Sequence, residues 1–75
     1  MKDRLNKVFK DCIGLELENL DPNASMHDIP EWDSMAHMTF ITEVEQEFSC
    51  DLEAKEIMEM TSPAKISGIL SKKID

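Results

Sequence analysis

The fold is decided at the stretch Glu31-Trp32-Asp33-Ser34-Met35-Ala36-His37, where a long irregular segment ends and an amphipathic helix begins. Asp33 and Ser34 are both residue types that cap helix N-termini well. Ile29 just upstream is expected to be extended, because Pro30 disfavours helical geometry in the residue before it. Apolar residues then recur at helical spacing, at Met35, Met38, Ile41, Val44 and Phe48. The pattern predicts a helix over residues 34–48.

The start of this helix is a favourable place for a phosphate ester. Backbone N–H groups point outward from the first turn of a helix, and the helix dipole favours a negative group there. Ser34 puts a hydroxyl at this position, directly after the acidic residue Asp33.

Three further helices are expected around this one. An apolar stripe predicts the first over residues 2–13, and Gly14 is a suitable stop because glycine tolerates a left-handed C-cap. A short third helix is expected over residues 53–58. Ser62-Pro63 is a favourable opening for the last helix, with serine as cap and proline in the first helical position.

Residues 15–33 are long for a loop in so small a domain. We expect the loop to be ordered, because apolar side chains are spread along it at Leu15, Leu17, Leu20, Met26, Ile29 and Trp32. No strand pattern is visible. The sequence therefore predicts one all-α domain over residues 1–75, a small four-helix bundle of three main helices and one short helix.

Charge and size narrow the classes of function. The 75 residues include 16 acids and 8 bases, a net charge of −8. Such a charge argues against binding a nucleic-acid backbone or an anionic membrane, and it favours basic partner surfaces. A domain of this size also has little room for an enzyme's cleft beside its core.

The two cysteines, Cys12 and Cys50, form no obvious disulfide framework. We find no secretory signal and no run near the roughly 20 apolar residues of a membrane span, so the chain is expected to be cytoplasmic with reduced thiols. The cysteines are far apart in sequence, as are His27 and His37, and this spacing is not typical of a structural zinc site. We predict no metal.

The segment Asp33-Ser34-Met35, followed by the apolar helix, its acids and Phe48, resembles the acyl carrier protein family, whose pattern is Asp-Ser-Leu at the start of the second helix. The resemblance implies that Ser34 receives 4′-phosphopantetheine from coenzyme A through a phosphodiester. The terminal thiol of that arm would carry an acyl or aminoacyl group as a thioester. Asp33 would position the metal and phosphate region of the modifying enzyme, and His37 is expected to be exposed near the attached phosphate.

The resemblance also implies partners: a phosphopantetheinyl transferase, an acyl- or aminoacyl-loading ligase, and an acyltransferase or condensing enzyme acting on a monomer. Met35 beside the arm, and acids of the second and third helices, are the predicted contacts; those acids are Glu43, Glu45, Glu47, Glu53 and Glu56. Thr39 and Thr42 stand where the family often has acids, so docking is expected to use the later half of the helix.

Several alternatives stay open. A peptidyl or D-alanyl carrier would share this fold, and an unmodified acidic interaction domain would use Ser34 only as a cap. A role for Ser34 as the catalytic nucleophile of a hydrolase is disfavoured, because nothing in the sequence supplies an oxyanion hole or a nucleophile elbow. The six methionines are a high number, and we expect most of them in the core. A second interpretation has Met38, Met58 and Met60 line a cleft for an acyl chain.

Overall fold

The computed structural model describes residues 2–74, with the side chains of Lys2 and Ile74 left aside. Within this range the chain forms four α-helices and no strand: α1 (Lys2–Ile13), α2 (Ser34–Phe48), α3 (Ala54–Glu59) and α4 (Pro63–Ile74). The predicted all-α architecture of three main helices and one short helix is confirmed. Met1 and Asp75, the ends of the predicted domain, lie outside the described residues.

The helix boundaries follow from their capping residues. Gly14 ends α1 in a left-handed conformation at φ 90°, and its N–H donates to the Lys10 carbonyl over 2.8 Å. Ser49 ends α2 in the same region at φ 52°. α3 starts one residue later than predicted, because Glu53 is its cap. The predicted opening of α4 is confirmed, with Ser62 Oγ accepting from the Lys65 N–H over 3.3 Å.

The long loop between α1 and α2 is ordered, as predicted. It contains two short 3₁₀ helices, Leu17–Asn19 and Met26–Asp28, which each bury one apolar side chain. Two backbone hydrogen bonds tie it to the far end of the chain: the Met26 N–H donates to the Thr61 carbonyl over 2.8 Å, and the Ala64 N–H donates to the Pro22 carbonyl over 3.0 Å. These bonds fix the loop to the connection between α3 and α4 and to the first turn of α4.

Three aromatic rings form the centre of the core. Phe9 of α1 contacts Trp32 of the loop edge-to-face at a centroid distance of 5.1 Å, and Phe40 of α2 at 5.3 Å. All three are fully buried. Edge-to-face pairs of this kind contribute roughly 0.5–1.5 kcal/mol each beyond the area they bury. Trp32 therefore anchors the residues just before Ser34 to the body of the bundle.

The expectation that most methionines are core residues is wrong for the five that the structure describes. Met26 and Met60 are buried, whereas Met35, Met38 and Met58 are exposed; Met1 lies outside the described residues. An α-helix has 3.6 residues per turn, so the nine steps from Met35 to Val44 cover two and a half turns. Met35 therefore lies on the side of α2 opposite the buried Val44. The two residues belong to the same apolar pattern in the sequence, in which every third residue from Met35 to Val44 is apolar, but they do not share a face of the helix.

No helix among residues 2–74 combines the length and the apolar character needed to span a membrane.

Candidate functional site

Ser34 is the first residue of α2, and its side chain is exposed. The cap is formed by Asp33 instead: its Oδ1 accepts from the Ala36 N–H over 2.8 Å, and its carbonyl accepts from the His37 N–H over the same distance. The Ser34 hydroxyl is therefore not the group that caps the helix. The N–H groups of Ser34 and Met35 have no acceptor within the helix, as helix geometry requires for the first turn. A negative group on the serine oxygen would lie near these donors.

The expectation that His37 is exposed is wrong, because the residue is only 6% exposed. Its Nδ1 accepts from Trp32 Nε1 over 3.1 Å, and its Nε2 lies 2.9 Å from the Ile57 carbonyl oxygen. The indole N–H can only donate, so Nδ1 is the unprotonated nitrogen and Nε2 carries the proton that Ile57 accepts. His37 thus connects the loop, α2 and α3 inside the molecule.

A signal for this role was present in the sequence. His37 stands three, four and seven residues before Phe40, Ile41 and Val44, which is the spacing of one helix face. Those three residues are buried. Because histidine is polar, it interrupts the apolar pattern of this helix face. Its burial is explained by the two hydrogen bonds that its ring makes, to Trp32 and Ile57.

An apolar cleft of about 370 Å³ opens beside Ser34, between the start of α2 and α3. Its lining includes Ser34, His27, Met38, Ile57, Met58 and Thr61. Met38 and Met58 line a cleft as predicted, but Met60 does not: it is fully buried in the core. Ligand pockets of small molecules typically have about 300–1,000 Å³. The cleft is large enough for part of a flexible arm or its load.

The acids predicted to contact partners do not share one face. Glu43 and Glu47 line a larger groove of about 510 Å³ with Arg4 and Lys7 of α1, and Ser34 is not part of its lining. Arg4 Nε pairs with the Glu47 carboxylate over 2.7 Å. Glu45 has a different function within the fold: its carboxylate accepts from the Leu52 N–H over 2.9 Å and thereby supports the turn after α2.

Glu53 and Glu56 lie at the start of α3. The Glu56 carboxylate accepts from the Glu53 N–H over 2.9 Å and pairs with Lys73 Nζ of α4 over 2.9 Å. The Glu53 N–H and then Lys73 hold the pKa of Glu56 below its usual range, and Glu56 in turn raises the pKa of Lys73. This carboxylate links α3 to α4.

Both cysteines are free and half-buried. Burial raises the pKa of the Cys12 thiol, with Glu43 and Asp11 as further causes. Burial also raises the pKa of the Cys50 thiol, helped by Glu45. Among residues 2–74 no group of three histidine, cysteine or acidic side chains is arranged to hold a metal ion.

Comparison with known proteins places the chain in a family. The comparison with curated proteins gave no match. The family model described as "Phosphopantetheine attachment site" matches residues 3–70, which span the bundle from α1 into α4. The observed site fits such a group, because an exposed hydroxyl, unused helix donors and an apolar cleft lie together. The chain therefore belongs to the phosphopantetheine attachment site family, the carrier domains to which 4′-phosphopantetheine is covalently attached.

Proposed function

We propose that this protein is an acyl carrier protein and that Ser34 is its attachment residue. One observation carries the proposal: in a chain of this family, Ser34 presents an exposed hydroxyl at the start of α2 while Asp33 forms the cap. The serine oxygen can therefore be esterified without loss of a hydrogen bond that holds the helix. When bound, the arm supplies a thiol that carries an acyl group as a thioester.

The residues of the chain would assist attachment in two ways. Ser34 Oγ would attack the phosphorus of coenzyme A that carries pantetheine, losing its proton to the transferase, while the pyrophosphate bond breaks and adenosine 3′,5′-bisphosphate leaves. The first N–H groups of α2 would stabilise the negative phosphodiester that results. Asp33 is exposed and uses Oδ1 for the cap. Its second carboxylate oxygen is available to the metal and phosphate region of the transferase.

The cleft beside Ser34 favours an acyl load over an aminoacyl load. Met38, Ile57 and Met58 give it an apolar lining, which suits a hydrocarbon chain better than an ammonium group. A peptidyl or D-alanyl carrier is the alternative within this family. The protein itself is not the catalyst: it tethers the thioester and raises its effective concentration at successive active sites.

We propose that this protein is a monomer. Its proposed partners are the transferase, a loading ligase, and an acyltransferase or condensing enzyme. Met35 beside Ser34 is exposed and offers an apolar contact. Glu43 would add electrostatic attraction, as would Glu53, which also takes part in the capping box of α3; Glu45, Glu47 and Glu56 already have intramolecular partners. Both cysteines are free, which supports a reducing compartment such as the cytoplasm.

Intact mass spectrometry tests the attachment residue. Wild type is incubated with coenzyme A and a broad-specificity transferase, beside Ser34→Ala and the matched control Ser67→Ala, an exposed serine on α4. We expect wild type and Ser67→Ala to gain the mass of one phosphopantetheinyl group, and Ser34→Ala to gain none while keeping its helical circular dichroism. If wild type gains no mass with several transferases, the acidic interaction domain becomes the better interpretation.

A further inference from the structure

The five described methionines fall into two groups by exposure. Met35 is 81% exposed, Met58 77% and Met38 51%, whereas Met26 is 9% exposed and Met60 is fully buried. A peroxide in solution must reach the thioether sulfur to oxidise it. The fold therefore separates three accessible thioethers from two protected ones.

The accessible three lie around the Ser34 end of α2. Met35 follows Ser34 in the chain, and Met38 lies one turn further on the same side of the helix. Met58 comes from α3, and it lines the same cleft as Ser34 and Met38. We call Met35, Met38 and Met58 the methionine rim.

We propose that the methionine rim is a reversible oxidation site that controls access of the modifying transferase to Ser34. The oxidant is a peroxide. The thioether sulfur attacks one peroxide oxygen, the O–O bond breaks, and the second oxygen leaves as water once it has taken up the proton. Sulfur is oxidised by two electrons to the sulfoxide, and the peroxide is reduced by two electrons.

Oxidation changes the surface and leaves the core intact. A sulfoxide is polar, so it must lose bound water to enter an apolar contact. Burying it without a hydrogen-bond partner costs free energy. Met60 is fully buried and is shielded by the packed interior, and Met26 borders the cleft but is only 9% exposed, so both should be oxidised more slowly than the rim. The oxidised protein is therefore folded but binds the transferase more weakly, and sulfoxide reductases restore it. The effect on docking rests on the proposed function, whereas the selectivity of oxidation does not.

The test treats the apo protein with hydrogen peroxide, removes the oxidant, and maps the added oxygens by peptide mass spectrometry. We expect oxidation at Met35, Met38 and Met58 before Met26 and Met60, with Met1 scored separately. The initial rate of phosphopantetheine transfer is then expected to fall several-fold at unchanged helical circular dichroism. Treatment with reductases for both sulfoxide epimers should restore the rate.

A triple variant, M35L/M38L/M58L, is the matched control, since leucine keeps an apolar side chain that peroxide does not oxidise. Its own rate should be the same before and after peroxide. Equal oxidation of rim and core methionines, an unchanged rate in oxidised wild type, or a comparable loss in the triple variant would overturn the inference. Failure of untreated wild type to be modified at Ser34 would instead count against the proposed function, while the peptide map still reports on the rim.

Discussion

Trp32 donates its indole N–H to Nδ1 of His37 over 3.1 Å, and both side chains are buried. The opposite nitrogen of the same ring holds the Ile57 carbonyl of α3. One imidazole therefore joins the last residues of the loop, the first turn of α2 and the floor of the cleft. The position of α3 relative to Ser34 depends on this contact as well as on apolar packing.

Replacing His37 by phenylalanine should destabilise the fold, although an aromatic ring is kept at this position. The indole N–H of Trp32 would lose its acceptor, and an unsatisfied buried donor costs about 1–3 kcal/mol. The Ile57 carbonyl keeps the Met60 N–H as a partner and adds less to the cost. Urea denaturation measures the difference. The control is His27→Phe at an exposed position, where a change within about 0.5 kcal/mol is expected; equal stability of both variants would refute the role of His37.

Asp33 has two roles that substitution can separate. Asp33→Ala removes the cap on α2 and should cost roughly 0.5–2 kcal/mol in urea denaturation. Asp33→Asn keeps a capping oxygen, so its stability should stay near that of wild type. Both variants should be modified more slowly by a transferase, because both lack the carboxylate. A wild-type transfer rate in Asp33→Asn would show that the charge is not needed.

Glu56 should make stability depend on pH in the acidic range. Its pKa in the folded state is lowered below 4.5 by the Glu53 N–H and Lys73. The folded state therefore binds the proton less readily than the unfolded state, and the contribution of Glu56 is fully present above that value. It is lost as the pH falls through the folded pKa. Urea midpoints between neutral pH and pH 3 should thus fall more steeply for wild type than for Glu56→Gln, whereas Glu59→Gln on the same helix should behave like wild type.

Cys12 and Cys50 should react slowly with iodoacetamide at neutral pH. The thiolate is the reactive form, and burial raises the pKa of both thiols. The alkylation rate should rise as the pH is raised and should be faster in urea, where both side chains are solvated. Mass spectrometry after timed quenching gives the rates. A thiol that reacts equally fast in the folded and unfolded chain would contradict the prediction. If both cysteine thiols are alkylated slowly, the thiol of an attached arm would be the preferred site of labelling.

The helices were predictable because their signals are local. α1 and α2 begin and end at the predicted residues, since an apolar stripe, Gly14 and the Asp33 cap all act within one or two turns. α3 is six residues long, which is less than two helical turns, so its apolar pattern hardly repeats, and its predicted range was displaced by one residue. The site was predictable in part: Ser34 is at the helix start, but the burial of His37 was missed.

The sequence by itself determined the four helices, the acidic character of the chain and the placement of Ser34 behind Asp33, because caps and periodicity are properties of neighbouring residues. Only the tertiary structure decided which residues surround that serine. The placement of α3 beside α2 brings Met38 and Met58 to a common cleft and encloses His37 between Trp32 and Ile57, and the folded chain buries Met60 in the core. The physical reason is that the residue pattern of a helix defines its own apolar and polar faces. Which other segment each face contacts depends on how segments distant in sequence pack together.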